Sequence, residues 1–230
     1  DPDLSMALRI GWACNNARFA RSEEDAVEGT VLGDPTEAAL LVLAAKAGLT
    51  GRPERSYIAG EIPFDSYRKR MSVVVREAGK LAVMTKGAPD VLLARCTRVQ
   101  RDGRVQPLSA NERRRILQVV DDMAKEALRV LALAYAERPD VSRVTGELRE
   151  DEWEKDLVFG LVGMMDPPRP EARQALRIAE QAGIRTVMVT GDHPHTAAAV
   201  ASQLGIIAPG EPVATGLMVD EWSDEQLAQR

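Results

Sequence analysis

The residues Thr190-Gly191-Asp192 have the types and the position needed to hold an anion. They follow a short, mainly apolar run at residues 185–189 and precede a segment with helical periodicity. Doubly wound sheets bind ligands at the carboxyl ends of their strands, and a helix N-terminus favours negative charge. The pattern therefore predicts an anion-binding turn, with an ordinary strand-to-helix turn capped by Asp192 as the alternative.

A second chemical pattern is Lys86-Gly87, at the end of an apolar strand pattern. Burying an ammonium group costs free energy unless the group is paired, so a lysine at this position is unusual. The glycine that follows lets a ligand approach the backbone closely. The pattern favours a ligand-facing lysine over the alternative, a surface lysine whose stem packs on apolar neighbours.

Three further side chains are candidates, although each has an ordinary structural explanation. Glu37 lies three residues after Asp34 and completes a capping box at the start of a predicted helix. Phe64 follows Pro63 at the end of a predicted strand, where a core aromatic residue is the ordinary interpretation. Arg129 follows a predicted helix, where a cation complements the helix dipole.

Composition excludes several classes of protein. Of the 230 residues, 45% are apolar, which is enough for a folded core, and the formal net charge is −5. No basic stripe with interleaved aromatic residues is present, so a nucleic-acid partner is not expected. The apolar runs are far shorter than the roughly 20 residues of a membrane helix, so no direct membrane contact is expected. The chain begins at Asp1 without an initiator methionine, and we interpret it as a segment of a longer protein.

The cysteine and histidine spacings argue against a metal site. Cys14 and Cys96 are far apart and belong to no Cys/His cluster, which speaks against a disulfide scaffold or structural zinc and fits a reducing compartment. His193 and His195 form a pair without an evident third ligand, so surface polar residues are favoured. No metal-ligating residue is therefore predicted.

Residues 1–165 are predicted to form an α+β domain, an antiparallel sheet with flanking helices. Periodicity and turn residues predict helices at 4–14 and 34–48, a short helix ending at Cys96 and a long helix that begins at Ser109. Predicted strands cover residues 58–63, 71–76, 80–85, 129–137 and 159–165, with a hairpin around Asp102-Gly103. The segment between residues 138 and 154 is predicted as a charged loop.

Residues 166–230 are predicted to form a partial α/β segment of Rossmann-like type. Three prolines within residues 166–170 break any helix or strand and mark the domain boundary. Beyond them the pattern predicts a helix over 171–182, a buried strand over 185–189 and a helix over 194–204. A helix, a buried strand, a glycine turn and a second helix are typical of a doubly wound unit.

Six segments, in this order, resemble the cytoplasmic nucleotide-binding and phosphorylation region of P-type ATPases, with the calcium-pump branch most similar. They are residues 33–37 (GDPTE), 63–72 (PFDSYRKRMS), 86–89 (KGAP), 129–132 (RVLA), 166–169 (DPPR) and 190–192 (TGD). The resemblance covers nearly the whole chain. It implies a nucleotide-binding domain inserted in a phosphorylation domain of the haloacid-dehalogenase type, of which residues 166–230 would be an incomplete part.

The resemblance implies an ATP site in the first domain. Phe64 would stack on adenine, Lys86 and Gly87 would line the floor of the cleft near the adenosine, and Glu37 would face the adenine amino group.

The resemblance places three further residues on the ATP. Arg129 would contact the phosphates, where a planar guanidinium pairs well with phosphate oxygens, and Leu131 of the same segment and Arg68 would join the site. A solvated loop is the alternative for Arg68. Calcium pumps often carry an arginine two positions after the phenylalanine, and Ser66 departs from that pattern.

The second domain would handle the phosphoryl group. The resemblance implies that Thr190 and Gly191 hold the transferred group, that Asp192 helps position nucleotide and metal, and that Asp166 lies at the hinge. Neither the phosphorylated Asp-Lys-Thr-Gly-Thr segment nor the Gly-Asp-Gly-x-Asn-Asp segment that supplies the Mg²⁺ ligand is found. The chain alone is therefore expected to bind ATP or ADP without turnover.

The implied parent protein couples ATP hydrolysis to cation transport, with calcium as the expected ion. Its other phosphorylation, actuator and transmembrane domains are the expected partners, and this segment would face the cytoplasm beneath the plasma membrane. One alternative is a phosphatase of the haloacid-dehalogenase type, which needs an Asp-x-Asp nucleophile motif that is not evident. A second alternative is a non-catalytic interaction module with a decayed nucleotide pocket.

Overall fold

The computed structural model describes most of the chain. The described residues are 1–20, 31–50, 53, 57–77, 79–126, 128–138, 144, 148–165, 168–191, 194–208, 210–223 and 225–226. Asp166, Asp192 and His193, which carry predictions made above, lie outside them.

The described residues form both helices and strands. The helices are α1 (Pro2–Ala13), α2 (Pro35–Lys46), α3 (Pro89–Arg95), α4 (Ala110–Lys125), α5 (Glu150–Trp153), α6 (Pro170–Gln181), α7 (Pro194–Leu204) and α8 (Gly216–Asp220). The strands are β1 (Arg18–Phe19), β2 (Val31–Leu32), β3 (Ile58–Asp65), β4 (Arg70–Glu77), β5 (Lys80–Gly87), β6 (Cys96–Arg101), β7 (Arg104–Pro107), β8 (Arg129–Arg138) and β9 (Leu157–Met164). In the part of the chain that the structure describes, no helix has the length and apolar character needed to cross a membrane.

The chain divides into two compact units. One comprises residues 1–120 with 130–164, and the other comprises residues 121–129 with 165–230. The sequence-based boundary between domains 1–165 and 166–230 stays a prediction.

Seven of the described strands form one sheet in the order β3-β4-β5-β8-β9-β6-β7. The sequence predicts an antiparallel sheet, and most of the described pairs are antiparallel, from β3–β4 to β5–β8. The sheet is nevertheless mixed, because β6 runs parallel to β9 with Cys96 opposite Leu157 and Val99 opposite Phe159. A parallel pair requires a long crossover connection, and the chain between these two strands supplies one through α4 and β8.

The sheet is buried on both faces. On one face Met71, Val73 and Leu133 pack against Ile10 and Ala13 of α1, and α2 packs on α1. On the other face Val74, Val83 and Ala134 pack with Leu92 of α3, Ile116 of α4 and Trp153 of α5. Since side chains of a strand alternate between faces and both faces are covered, all six residues of β4 from Arg70 to Val75 are buried.

Two local predictions from the sequence are confirmed. Asp34 is the N-cap of α2, and its Oδ1 accepts from the amides of Thr36 at 2.8 Å and Glu37 at 3.3 Å. The hairpin of β6 and β7 turns at Asp102-Gly103, with Arg101 opposite Arg104. Both turn residues have positive φ, 52° and 72°, as a two-residue hairpin turn of the primed type requires.

The second unit departs from the sequence-based prediction. Helices α6 and α7 form where they are predicted, but residues 184–190 form no strand, and Val187 and Val189 are exposed. The predicted buried strand at 185–189 is therefore wrong for this structure. A buried parallel strand needs neighbours to pair its amides and carbonyls, and the described residues of this unit supply no strand beside it.

Replacing Gly87 by alanine should destabilise the first unit. A Cβ atom at Gly87 would lie 2.5 Å from the Lys69 carbonyl oxygen and 2.6 Å from the Arg70 Cβ, so the backbone would have to move. We expect Gly87→Ala to lower the free energy of unfolding by about 1–3 kcal/mol in urea denaturation. Gly160→Ala in β9 is the matched control, because its Cβ would meet only the Leu133 carbonyl oxygen at 3.5 Å. Equal losses in the two variants would contradict this account.

Candidate functional site

Lys86 lies near the end of β5, and its ammonium group is paired with a carboxylate in the first turn of α2. Its Nζ donates to Oε1 of Glu37, and the Lys86 side chain is only 8% exposed. In the strand pairing Lys86 is opposite Met71 of β4 and Leu133 of β8, both in the apolar core on the α1 side. An ammonium buried at such a position requires a partner, and Glu37 supplies it.

Glu37 is held in place by contacts from α1 and the segment that follows it. Its Oε2 accepts from the Asn16 amide at 3.2 Å, and the Asn15 Nδ2 donates to the Glu37 carbonyl at 2.8 Å and to the Gly11 carbonyl at 2.9 Å. Glu37 is the third residue of α2, and its side chain is 16% exposed. Its carboxylate connects the start of α2 to β5 through Lys86.

Apolar and sulfur-containing side chains lie on the same face of the sheet as Lys86. Leu131 of β8 is half-buried and packs against the same core as Met71. The Cys14 Sγ donates to the Met71 carbonyl at 3.4 Å, and the Asn16 Nδ2 lies 3.8 Å from the Met71 Sδ. Lys86 and Leu131 therefore lie on one face of the sheet, and Glu37 meets Lys86 on that face.

Phe64 is at the same end of the sheet, and the residue is 62% exposed. The alternative that it is a core aromatic residue is therefore wrong. Four residues pair side by side across β3, β4, β5 and β8, in the order Asp65, Arg70, Gly87 and Ala132. Phe64, Lys86 and Leu131 each immediately precede one of these four residues in the chain. Since neighbouring strands lie about 4.8 Å apart, the backbones of β3 and β5 are separated by about 10 Å.

Gly87 has a packing role that sequence reasoning did not predict. The chain folds back so that the Ala88 amide donates to the Lys69 carbonyl at 3.0 Å, and this approach leaves no room for a Cβ at Gly87. Close approach of a ligand to Gly87 stays a prediction.

Arg68 is part of a partly buried group of charges that we call the ionic network, consisting of Arg68, Arg70, Glu150 and Glu154. Arg68 Nε donates to Glu150 at 2.6 Å, and its Nη2 donates to Glu154. Arg70 donates to Glu154 at 2.5 Å and to Glu150 at 2.8 Å. The solvated-loop interpretation of Arg68 is therefore wrong, and a phosphate contact would require its guanidinium to leave two carboxylates.

Glu154 is fully buried and is the centre of the ionic network. Its Oε1 also accepts from the Ser72 hydroxyl at 2.7 Å, and that hydroxyl lies 2.8 Å from the Thr85 hydroxyl. Burial on its own would raise the pKa of Glu154. Hydrogen bonds from Ser72 and Arg70, together with the charges of Arg70 and Arg68, outweigh burial and hold that pKa below its ordinary value.

The ionic network was missed because the sequence pattern of residues 138–154 indicates a charged loop. One local signal was available: Arg70 stands immediately before the apolar run that becomes β4. A guanidinium at the start of a strand buried on both faces requires a carboxylate partner. Local spacing does not identify that partner, because Glu154 is 84 positions further along the chain.

The residues expected on the phosphate side belong to the second unit or lie outside the described residues. Arg129 begins β8 and is exposed, and Thr190 and Gly191 are exposed after the irregular segment 184–190. Asp166 and Asp192 are among the residues not described. Across the described ranges no three His, Cys, Asp or Glu side chains are grouped closely enough to hold a metal ion.

Comparison with known proteins identifies the family. Residues 3–171 match the family model for the P-type ATPase, cytoplasmic domain N. The chain belongs to the P-type ATPases. It is 40% identical over 229 residues to the calcium-transporting ATPase of Bacillus subtilis, and the match covers 98% of this chain and 25% of that protein. It is 36% identical over 230 residues to calcium-transporting ATPase 1 of Lactococcus lactis, covering 99% of this chain and 25% of that protein.

The match confirms the resemblance predicted from the six motifs. The mixed, mainly antiparallel sheet with helices on both faces is an α+β fold, which agrees with a P-type ATPase N domain. The chain spans about a quarter of the length of the curated relatives that it matches.

Neutralising Glu154 should change how the stability of this P-type ATPase segment depends on pH. Glu154→Gln leaves two arginines without their buried anion, so we expect a loss of about 3 kcal/mol at neutral pH. The folded-state pKa of Glu154 is lowered, so its ionised form stabilises the fold above its ordinary pKa. That contribution disappears as the pH falls through the folded-state pKa. The difference in the free energy of unfolding between wild type and Glu154→Gln should therefore become smaller at acidic pH.

Urea denaturation at a series of pH values measures this difference. Glu152→Gln is the matched control, because Glu152 is exposed and its carboxylate lies 3.9 Å from the exposed Arg149. A difference between wild type and Glu154→Gln that stays constant from neutral to acidic pH would contradict the assigned role.

Both thiols should be unreactive in the folded protein. Burial raises the pKa of Cys14 to about 12 and the pKa of Cys96 to about 12, so almost no thiolate is present near neutral pH. We expect Ellman's reagent to titrate neither thiol rapidly at pH 8 and to titrate both in concentrated urea. Rapid native reaction of either thiol would show that its site is open to solvent.

Proposed function

We propose that this chain is the ATP-binding cytoplasmic segment of a P-type pump that transports calcium. The observation that supports the proposal most directly is the common location of Lys86, Glu37 and Leu131 with the exposed ring of Phe64 at one end of the sheet. The names of the relatives from Bacillus subtilis and Lactococcus lactis support calcium as the ion.

These side chains suit the adenosine part of the nucleotide. An exposed aromatic ring offers a flat face for stacking on a purine, and such contacts are worth about 1–3 kcal/mol per base. The Glu37 carboxylate accepts hydrogen bonds and matches the adenine amino group, whereas the Lys86 ammonium donates and matches the ring nitrogens. The aliphatic Leu131 side chain adds apolar surface beside them.

The residues proposed to contact the phosphates of ATP are assigned from the family resemblance. Arg129 is proposed to contact the phosphates, and Thr190, Gly191 and Asp192 are proposed to hold the phosphoryl group in the parent enzyme, with Asp166 at the hinge. Arginine and backbone amides are suited to this task, because phosphoryl transfer depends on positioning and on neutralising charge.

In the parent protein ATP would transfer its terminal phosphoryl group to an aspartate and release ADP. Water would then hydrolyse the aspartyl-phosphate and release phosphate, and this cycle would drive transport. The phosphorylated motif is not found in these 230 residues, so we propose that the chain alone binds ATP or ADP without turnover. Mg²⁺ would be held by ligands supplied by the rest of the parent. The partners are its remaining phosphorylation, actuator and transmembrane domains, with this segment on the cytoplasmic side of the plasma membrane.

Titration of the 230-residue chain with ATP tests the proposed site. We expect Phe64→Ala to weaken binding by about 1–3 kcal/mol, or roughly 5- to 150-fold, because the stacking surface is lost. Lys86→Met should also weaken binding, because it removes the ammonium and keeps the aliphatic stem. Isothermal titration calorimetry gives the dissociation constants.

Tyr67→Ala is the matched control for the aromatic contact. Tyr67 is three residues from Phe64 and 95% exposed, and it should be replaceable without loss of binding. Unchanged ATP binding in both Phe64→Ala and Lys86→Met would remove the proposed site, and absence of any nucleotide binding by the wild type would favour the interaction module.

A further inference from the structure

The ionic network pairs every guanidinium nitrogen that it contains. All three guanidinium nitrogens of Arg68 donate within this region: Nε to Glu150, Nη2 to Glu154 and Nη1 to the Pro63 carbonyl at 3.1 Å. Arg70 donates through Nε to Glu154, through Nη2 to Glu150 and through Nη1 to the Arg68 carbonyl at 3.0 Å. Two cations are thus matched by two carboxylates, and each arginine also holds a backbone carbonyl.

Those two carbonyls bracket the segment that presents Phe64. The Pro63 carbonyl belongs to the peptide group that enters Phe64, and the Arg68 carbonyl belongs to the turn that follows it. The regular pairing of β3 with β4 is interrupted between Ile62 and Asp65, so the ladder does not fix this peptide in the ordinary way. A proline also lacks the amide donor with which a strand residue pairs. The arginine contacts supply the missing restraint.

The turn after Phe64 is itself tightly specified. The Asp65 Oδ1 accepts from the amides of Tyr67 and Arg68, both at 2.9 Å, and the Lys69 amide donates to the Asp65 carbonyl at 2.7 Å. Lys69 has φ of 51°, a left-handed conformation that costs a non-glycine residue free energy and persists only where its surroundings enforce it. Holding residues 63–70 in one conformation therefore has a cost in the stability of the fold.

Stability alone does not account for the ionic network. Taking charges out of water is costly, and apolar side chains of similar volume often stabilise a core equally well. What the charges add is direction, because a guanidinium fork fixes the relative positions of the oxygens that it contacts.

We propose that the ionic network positions Phe64 for a purine ring, so that Arg68, Arg70 and Glu154 are positioning residues for nucleotide binding. The inference rests on the proposed function and deepens it. It also changes the role of Arg68, which acts on the adenine end through Phe64 and does not contact the phosphates.

Comparing AMP with ATP separates the two roles of Arg68. If Arg68 acts through Phe64, Arg68→Gln weakens the binding of AMP and ATP by the same factor, about fivefold or more and no greater than the factor for Phe64→Ala. If Arg68 contacts phosphates, the loss is larger for ATP than for AMP. Arg149→Gln is the matched control, because Arg149 pairs with Asp151 on the surface beside α5.

A double-mutant cycle identifies the route of the effect. In the Phe64→Ala background, Arg68→Gln should cause no further loss of AMP binding, because the ring that it positions is absent. The inference is overturned if Arg68→Gln binds AMP and ATP as tightly as the wild type. It is also overturned if Arg68→Gln loses more affinity for ATP than for AMP, or if it loses the same affinity for AMP when Phe64 is already replaced by alanine. If the wild type does not bind or Phe64→Ala has no effect, the proposed function fails and this inference fails with it.

A milder variant covers the case in which Arg68→Gln does not fold. Glu150 is half-exposed and accepts from both arginines, so Glu150→Gln removes one anion and leaves the buried Glu154 pairs intact. We expect this variant to unfold cooperatively at close to the wild-type temperature and to bind AMP and ATP more weakly by one shared factor. Binding equal to the wild type in folded Glu150→Gln would overturn the inference.

Discussion

The contact between the Lys86 ammonium and the Glu37 carboxylate is the interaction on which the proposed nucleotide site depends. An ammonium near the end of an inner strand is tolerable only when an anion meets it. The Asp34 cap sets where α2 begins, the Asn15 amide ties α2 to α1, and the β4–β5 pairing sets where Lys86 lies. The start of α2, which local residues determine, and the register of β4 and β5, which distant residues determine, must therefore both be correct for Lys86 to meet Glu37.

The same two strands also hold a second charged group on their opposite face. Met71 and Lys86 face α1, whereas Ser72 and Thr85, one residue away on each strand, face the buried Glu154. Since side chains alternate along a strand, a slip of one residue would exchange the two faces and leave both sets of charges unpaired. The two ion-pair groups thus specify the register of β4 and β5, and through it the location of Phe64 at the end of β3.

Much of the first unit could be predicted from sequence because its signals are local. The Asp34-Pro35 start of α2 and the Asp102-Gly103 hairpin each depend on a few adjacent residues. The ion pairs could not be predicted, because Lys86 and Glu37 are 49 positions apart and Arg70 and Glu154 are 84 positions apart. The strand predicted at 185–189 failed for a related reason: its apolar pattern is suited to a buried strand, but pairing partners decide whether a strand forms.

An amide NMR titration of the 230-residue chain with ATP shows whether the Lys86–Glu37 ion pair and Phe64 form one binding site. We expect the largest chemical-shift changes at the amides of Asn16, Phe64, Lys86 and Gly87, because these residues lie beside the ion pair and the exposed ring. The β6–β7 hairpin, which pairs at the other edge of the sheet, should not respond. Changes confined to that hairpin, or an unchanged spectrum at millimolar ATP, would contradict the account.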